Sequence, residues 1–119
     1  MPSMEKKSLN APDETRSVNK GKIDLVKMGG VTFSRITFEP GWKWSVSVKP
    51  IAKTDSCQVH HVGYVVAGRM RVKLDNGEEL EIGPNDAYDI PPGHDAWIVG
   101  NETYIGVDVS GGMSEYAKR

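Results

Sequence analysis

Residues 69–82 read Arg-Met-Arg-Val-Lys-Leu-Asp-Asn-Gly-Glu-Glu-Leu-Glu-Ile. Polar and apolar side chains alternate on both sides of a turn-forming centre, the pattern of a β-hairpin with one face buried. The register follows from the side chains. A two-residue turn on Asn76 and Gly77 sets Leu74 against Glu79 and Lys73 against Leu80, mixing polar and apolar groups on both faces. A three-residue loop, Asp75 to Gly77 with Gly77 in a left-handed conformation, pairs Val72 with Leu80 and Met70 with Ile82. It also sets Lys73 against Glu79 and Arg71 against Glu81, and opposite charges across strands add a few tenths of a kcal/mol each. The second register is the expected one, and the charges form a solvated face.

The same period of two recurs along the chain. Trp42, Trp44, Val46 and Val48 alternate with Lys43, Ser45, Ser47 and Lys49; Ile105, Val107 and Val109 alternate with Tyr104, Gly106, Asp108 and Ser110. In each case this predicts a strand burying the apolar set. Further strands are expected at 22–28, 31–38, 58–66, 78–82, 87–90 and 96–99. About nine short strands punctuated by Gly and Pro, without a long amphipathic helix, define an all-β antiparallel sandwich or barrel. Residues 1–21 are polar and aperiodic and read as a flexible N-terminal arm. Residues 22–110 form the barrel domain, and 111–119 form a C-terminal tail.

The chain has 119 residues, 38% hydrophobic and 26% charged, with 15 Lys plus Arg against 16 Asp plus Glu. That is one domain of an ordinary soluble protein. A net charge of -1 gives no electrostatic case for nucleic acid or an anionic membrane. No apolar run is long enough for a spanning helix or a secretory signal, so the expected compartment is cytoplasmic. The single cysteine, Cys57, excludes an intrachain disulfide and leaves a thiol that is packed, reactive or a metal ligand. Phosphate-binding loops, dinucleotide glycine patterns and nucleophile elbows are absent from the sequence.

The run from Gln58 through Gly68 to Ile82, followed by Gly83-Pro84-Asn85-Asp86 and Ile90-Pro91-Pro92-Gly93, resembles the cupin superfamily. The resemblance covers about residues 36 to 110 and implies a double-stranded β-helix, or jelly-roll barrel. Gly68 matches the glycine that closes the family's first motif. Asp86 and Pro91 match the start of the second. Asn85 stands where the family has a glycine, and it is the non-Gly residue most tolerant of a left-handed backbone. The family's three-His-one-Glu metal set is changed throughout: its positions fall on Asp55, Cys57, His61 and Ala96, with His94 two residues before Ala96.

These replacements include metal-binding types. Cys57, His61 and His94 are the candidate ligands of a divalent metal, zinc or iron, with an open coordination position. Asp55 is a candidate fourth ligand, and Asp95 a candidate to orient a ligating histidine. The bland reading of Cys57 is a packed core residue. His60 reads as a surface residue unless a bulge near Gly63 reverses the phase. Cys57 and His61 lie about 13 Å apart if the chain between them is extended at about 3.3 Å per residue, so sharing an ion requires a bend at 58–60. Trp42, Trp44, Tyr64, Tyr88 and Trp97 read first as core or interface material and secondarily as a cavity lining.

Two functions remain open on this reading. One is a non-catalytic module that binds a small polar molecule in the barrel. The other is a metal-dependent dioxygenase-like or isomerase-like enzyme acting on a small organic acid or sugar. A homodimer is the expected assembly, as is common among small cupins, with the strand at 42–48 or the N-terminal arm at the contact.

Overall fold

The computed structural model describes residues 4–110 and Tyr116. Among the described residues, nine strands form two antiparallel sheets. β1 (Glu14–Val18), β2 (Gly21–Met28), β3 (Val31–Phe38), β4 (His61–Ala67), β7 (Ala87–Ile90) and β9 (Tyr104–Asp108) make a six-stranded sheet in the order β1-β2-β3-β9-β4-β7. β5 (Arg69–Leu74), β6 (Glu79–Ile82) and β8 (His94–Val99) make a three-stranded sheet in the order β6-β5-β8. The core joins inward side chains of both sheets, among them Ile23, Leu25, Ile36, Phe38, Val65 and Ile90 from the first and Met70, Val72, Ile82 and Ile98 from the second.

The β5–β6 hairpin has the expected register: Val72 opposes Leu80, Met70 opposes Ile82, Arg71 opposes Glu81 and Lys73 opposes Glu79. Leu74 and Glu78 close the loop, with Gly77 at φ 96°. The ion pairs on the outer face are partly diagonal, Arg71 to Glu79 at 2.9 Å and to Glu81 at 3.6 Å. Leu80 lies on the edge strand and is 43% exposed. Asn85 takes the left-handed conformation, at φ 74°.

Three expectations are corrected. The segment 42–48 is not a strand: Trp44–Ser47 forms one helical turn, α1, and Lys49–Ala52 a second, α2, with Lys43 bridging Trp97. Pro50 stands in the first turn of α2, where its fixed φ suits a helix and its missing N–H removes nothing. The burial follows a helical spacing of four, with Trp44 and Val48 inside and Val46 64% exposed. The second correction concerns the N-terminal arm, because residues 14–18 form β1, paired along its length with β2. Polar contacts rather than an apolar face hold this segment: Thr15 Oγ1 donates to Asp24, Lys7 pairs with Asp13, and Arg35 reaches Asn10 and the Leu9 carbonyl. Hydrophobic periodicity therefore carried no sign of it.

The third correction is the phase of β9. Tyr104, Gly106 and Asp108 face inward, while Ile105, Val107 and Val109 face outward. Tyr104 folds its ring along the strand so that its hydroxyl lies over Gly106, where a Cβ would sit 2.7 Å from that oxygen. A large and a small residue two apart thus fill one stretch of the interior. The expected tail at 111–119 lies, apart from Tyr116, outside the described residues. Among the described residues, no helix is long and apolar enough to cross a membrane.

Candidate metal centre

Cys57 and His94 face each other in an antiparallel bridge. The Cys57 N–H donates to the His94 carbonyl at 2.7 Å, and the Cys57 carbonyl accepts from the Gly93 N–H at 2.7 Å. Residues 58–60 belong to no strand, turn or bend, and β4 opens at His61. The two side chains reach each other across this segment: Cys57 Sγ lies 3.6 Å from His61 Nε2. The two histidine rings meet edge to face at 5.1 Å between centroids. One ligand atom from each of Cys57, His61 and His94 lies within 4.8 Å of the others. All three residues are buried.

The second nitrogen of each ring is engaged. His94 Nδ1–H donates to the Pro91 carbonyl at 2.8 Å, and His61 Nδ1–H to Asp108 Oδ2 at 3.1 Å. A carbonyl or carboxylate oxygen only accepts, so the neutral form of each ring carries its proton on Nδ1 and presents the Nε2 lone pair. Asp108, on β9, is fully buried and is itself fixed by the Ser110 N–H at 2.9 Å and Ser110 Oγ at 2.6 Å. Its approach depends on Gly63, its partner across β4 and β9. A Cβ at Gly63 would run into the Val107 carbonyl oxygen and lie 2.8 Å from Asp108 Cα.

This donor set suits a divalent ion. Tetrahedral bonds of about 2.3 Å to sulfur and 2.05 Å to nitrogen place the two donors about 3.6 Å apart, which is the separation between Cys57 Sγ and His61 Nε2. Carboxylate and carbonyl partners on the far nitrogens are the arrangement that orients metal-bound histidines. Burial, with His61 beside it, pulls His94 down to about 4, leaving it neutral and able to ligate at neutral pH. Burial, followed by the negative charges of Asp95 and Asp108, pushes the Cys57 thiol up to about 12. A cation bound there would favour the thiolate and release a proton.

The remaining candidates fall elsewhere. Asp55 is exposed and outside the cluster. Asp95 accepts from the Ser45 and Ala96 backbone N–H groups and orients neither histidine. His60 points outward to Asp89, at 2.6 Å. Asp108 and Tyr116 were not singled out from the sequence. The first lies in a strand whose apolar alternation indicated the opposite face, and the second lies in the polar C-terminal segment.

A cavity of about 30 Å³ adjoins His61 and His94. Its walls are mainly apolar, with Trp42, Trp44, Met70, Val72, Tyr88 and Tyr116 among them. Trp42 stacks on Phe38 at 3.8 Å. The indole N–H groups of Trp42 and Trp44 are buried without a partner among the described residues. Tyr64 is half exposed, and Trp97 lies under the Lys43 ammonium.

Searches with family models and among curated proteins found no match. Solved structures do match. A Rhizobium leguminosarum protein of unknown function aligns with a TM-score of 0.59 at 20% identity, over 91% of this chain and 96% of its own. A sugar phosphate isomerase of the cupin superfamily from Silicibacter pomeroyi aligns with a TM-score of 0.59 at 17% identity, over 88% and 74%. KdgF from Halomonas sp. aligns with a TM-score of 0.52 at 18% identity, over 76% and 77%. Two facing antiparallel sheets, the left-handed Asn85 and these likenesses agree on one architecture: the chain is a small all-β protein of the cupin fold.

Proposed function

We propose that this protein binds a small molecule inside its barrel through a divalent metal ion, zinc or iron, held by Cys57, His61 and His94. The observation that carries the reading is the preset state of both imidazoles, each held on Nδ1 by an oxygen acceptor, Asp108 for His61 and the Pro91 carbonyl for His94, which leaves Nε2 for the cluster. Three protein donors leave a coordination position for the ligand. The Trp42 and Trp44 N–H groups, which have no partner among the described residues, suit a ligand that carries a hydrogen-bond acceptor. The apolar walls suit a compact body behind that polar group.

A second reading is an enzyme of isomerase-like or dioxygenase-like type acting on a small organic acid or sugar. It is favoured by the open position, and a fold neighbour is a sugar phosphate isomerase. A bound divalent ion would supply Lewis-acid polarisation of the ligand's oxygen. The chain's own residues would orient that ligand and exclude water.

The test is elemental analysis by plasma mass spectrometry on protein purified without chelators. Near-stoichiometric zinc or iron is expected, falling below about a tenth of that in a folded Cys57→Ala, His61→Ala double variant. Metal content near zero in the wild-type protein after reconstitution, or unchanged in the variant, would refute the reading.

A further inference from the structure

Tyr116 differs from the rest of the cavity wall. The other lining residues lie between Ile36 and Ala96, whereas Tyr116 comes from the C-terminal segment and lies outside every helix and strand. Its side chain is nonetheless buried, with the residue 4% exposed, and its ring meets the His61 ring edge to face at 5.5 Å. Its carbonyl accepts from Arg16 Nη1 at 2.7 Å. Arg16 is itself buried on β1 and paired with Glu14 at 2.6 Å. The ring is thus inserted beside the metal-binding cluster from a distant part of the chain and latched by a cation on the edge strand.

The space left beside it is about 30 Å³. At roughly 10 to 15 Å³ per water, that holds about two waters and no organic molecule of ring size. We propose that Tyr116 is a displaceable plug: its ring fills the position in which a ligand lies, and a molecule of single-ring size reaches Cys57, His61 and His94 only when that ring swings out. The proposal rests on the reading of the cavity as a ligand site and adds the size class and the route of entry. It also gives Arg16 a role, since the hydrogen bond to the Tyr116 carbonyl fixes the backbone from which the ring turns.

The test uses Cys57 as the reporter, because it is the chain's one cysteine and is buried in the same cluster. The full chain, stripped with a chelator, is labelled with a maleimide at increasing urea. Displacement of one side chain exposes little surface, so the wild-type rate is expected to be flat in urea below the unfolding transition. Tyr116→Gly is expected to label on the order of a hundredfold faster, the weight of one buried aromatic ring. p-Cresol, the free side chain of tyrosine, is expected to bring that rate back toward the wild-type value.

A wild-type rate that climbs with urea in parallel with global unfolding would overturn the plug, and that arm decides alone if the variant fails to fold. A folded Tyr116→Gly protein that labels no faster, or that p-cresol does not protect, would overturn it as well. The labelling is done without metal. Its outcome and that of the elemental analysis therefore stand or fall separately.

Discussion

Replacing Asp108 by Asn tests how the centre is preset. In the wild-type protein Asp108 Oδ1 accepts from the Ser110 N–H and hydroxyl, while Oδ2 accepts from His61 Nδ1 at 3.1 Å. An Asn side chain must keep its one carbonyl oxygen toward the Ser110 N–H, because that donor cannot turn. Its NH₂ group then faces His61 Nδ1. Two donors cannot share a hydrogen bond, so the imidazole moves its proton to Nε2, the atom that faces Cys57 Sγ at 3.6 Å. The ligand lone pair is lost unless the ring reverts against an unfavourable contact. Loss of such an outer partner weakens metal affinity by about 10- to 100-fold, or about 1.4 to 2.7 kcal/mol. The fold is expected to lose less, about 1 to 2 kcal/mol, since Asn still satisfies the Ser110 N–H and relieves a buried charge. Competition against a chromophoric zinc chelator reads the first quantity, and urea unfolding of the metal-free protein reads the second. Wild-type zinc affinity in folded Asp108→Asn would refute the argument: either His61 does not ligate through Nε2, or Asp108 does not set its tautomer.

Acid is expected to destabilise the metal-free protein through His94. Between about pH 6.5, where the unfolded residue takes a proton, and about 4, where the folded one does, the unfolded chain binds the extra proton, so stability falls as pH falls through that window. The loss from this residue is about 3 kcal/mol when complete, and His94→Gln should remove that part from urea midpoints taken across the range. Gly63→Ala is expected to cost at least about 3 kcal/mol or to prevent folding, since the added Cβ meets the Val107–Asp108 backbone of β9 and the Tyr88 hydroxyl; a melting temperature within a few degrees of wild type would refute it. Gly77→Ala meets no atom within 4 Å, so only its φ of 96° is strained. Its cost in the same assay is expected to be about 1 kcal/mol.

The parts of this fold legible in the sequence are those where side-chain alternation and burial share one cause. In β5 and β6, charges on one face and apolar groups on the other leave a single consistent register, and the structure has it. At 42–48 the same alternation misled, because Trp44 and Val48 satisfy a spacing of four as well as of two, and Pro50 favours the helical choice. β1 was hidden because ladder hydrogen bonds and the Thr15–Asp24 contact, with Val18 alone packed against the core, fix it to β2. Asp108 was hidden because β9 has Val and Ile outside and spends its interior on Tyr104, Gly106 and a hydrogen-bonded carboxylate. The convergence of Cys57, His61 and His94 was legible from residue type and motif position, but the bend expected at 58–60 is not there: the side chains close the distance themselves. Tyr116 left no such trace, because its contact with His61 joins segments far apart in the chain.

The departures from the cupin metal pattern become coherent once placed on the strands. The second-motif histidine of that pattern falls on Ala96, and this chain has its histidine at 94. A shift of two residues along a strand keeps a side chain on the same face while moving it about 6.7 Å, and β8 does point His94, Ala96 and Ile98 inward together. The shift also changes neighbours. His94 is the residue that bridges Cys57, whereas Ala96 pairs with Val72 in the three-stranded sheet. A histidine at 94 therefore stands beside the thiol at 57, and the small side chain at 96 lines the cavity next to it. The thiol at 57 and the histidine at 94 therefore come together with His61 as a group of three possible donors whose ligand atoms lie within 4.8 Å of one another.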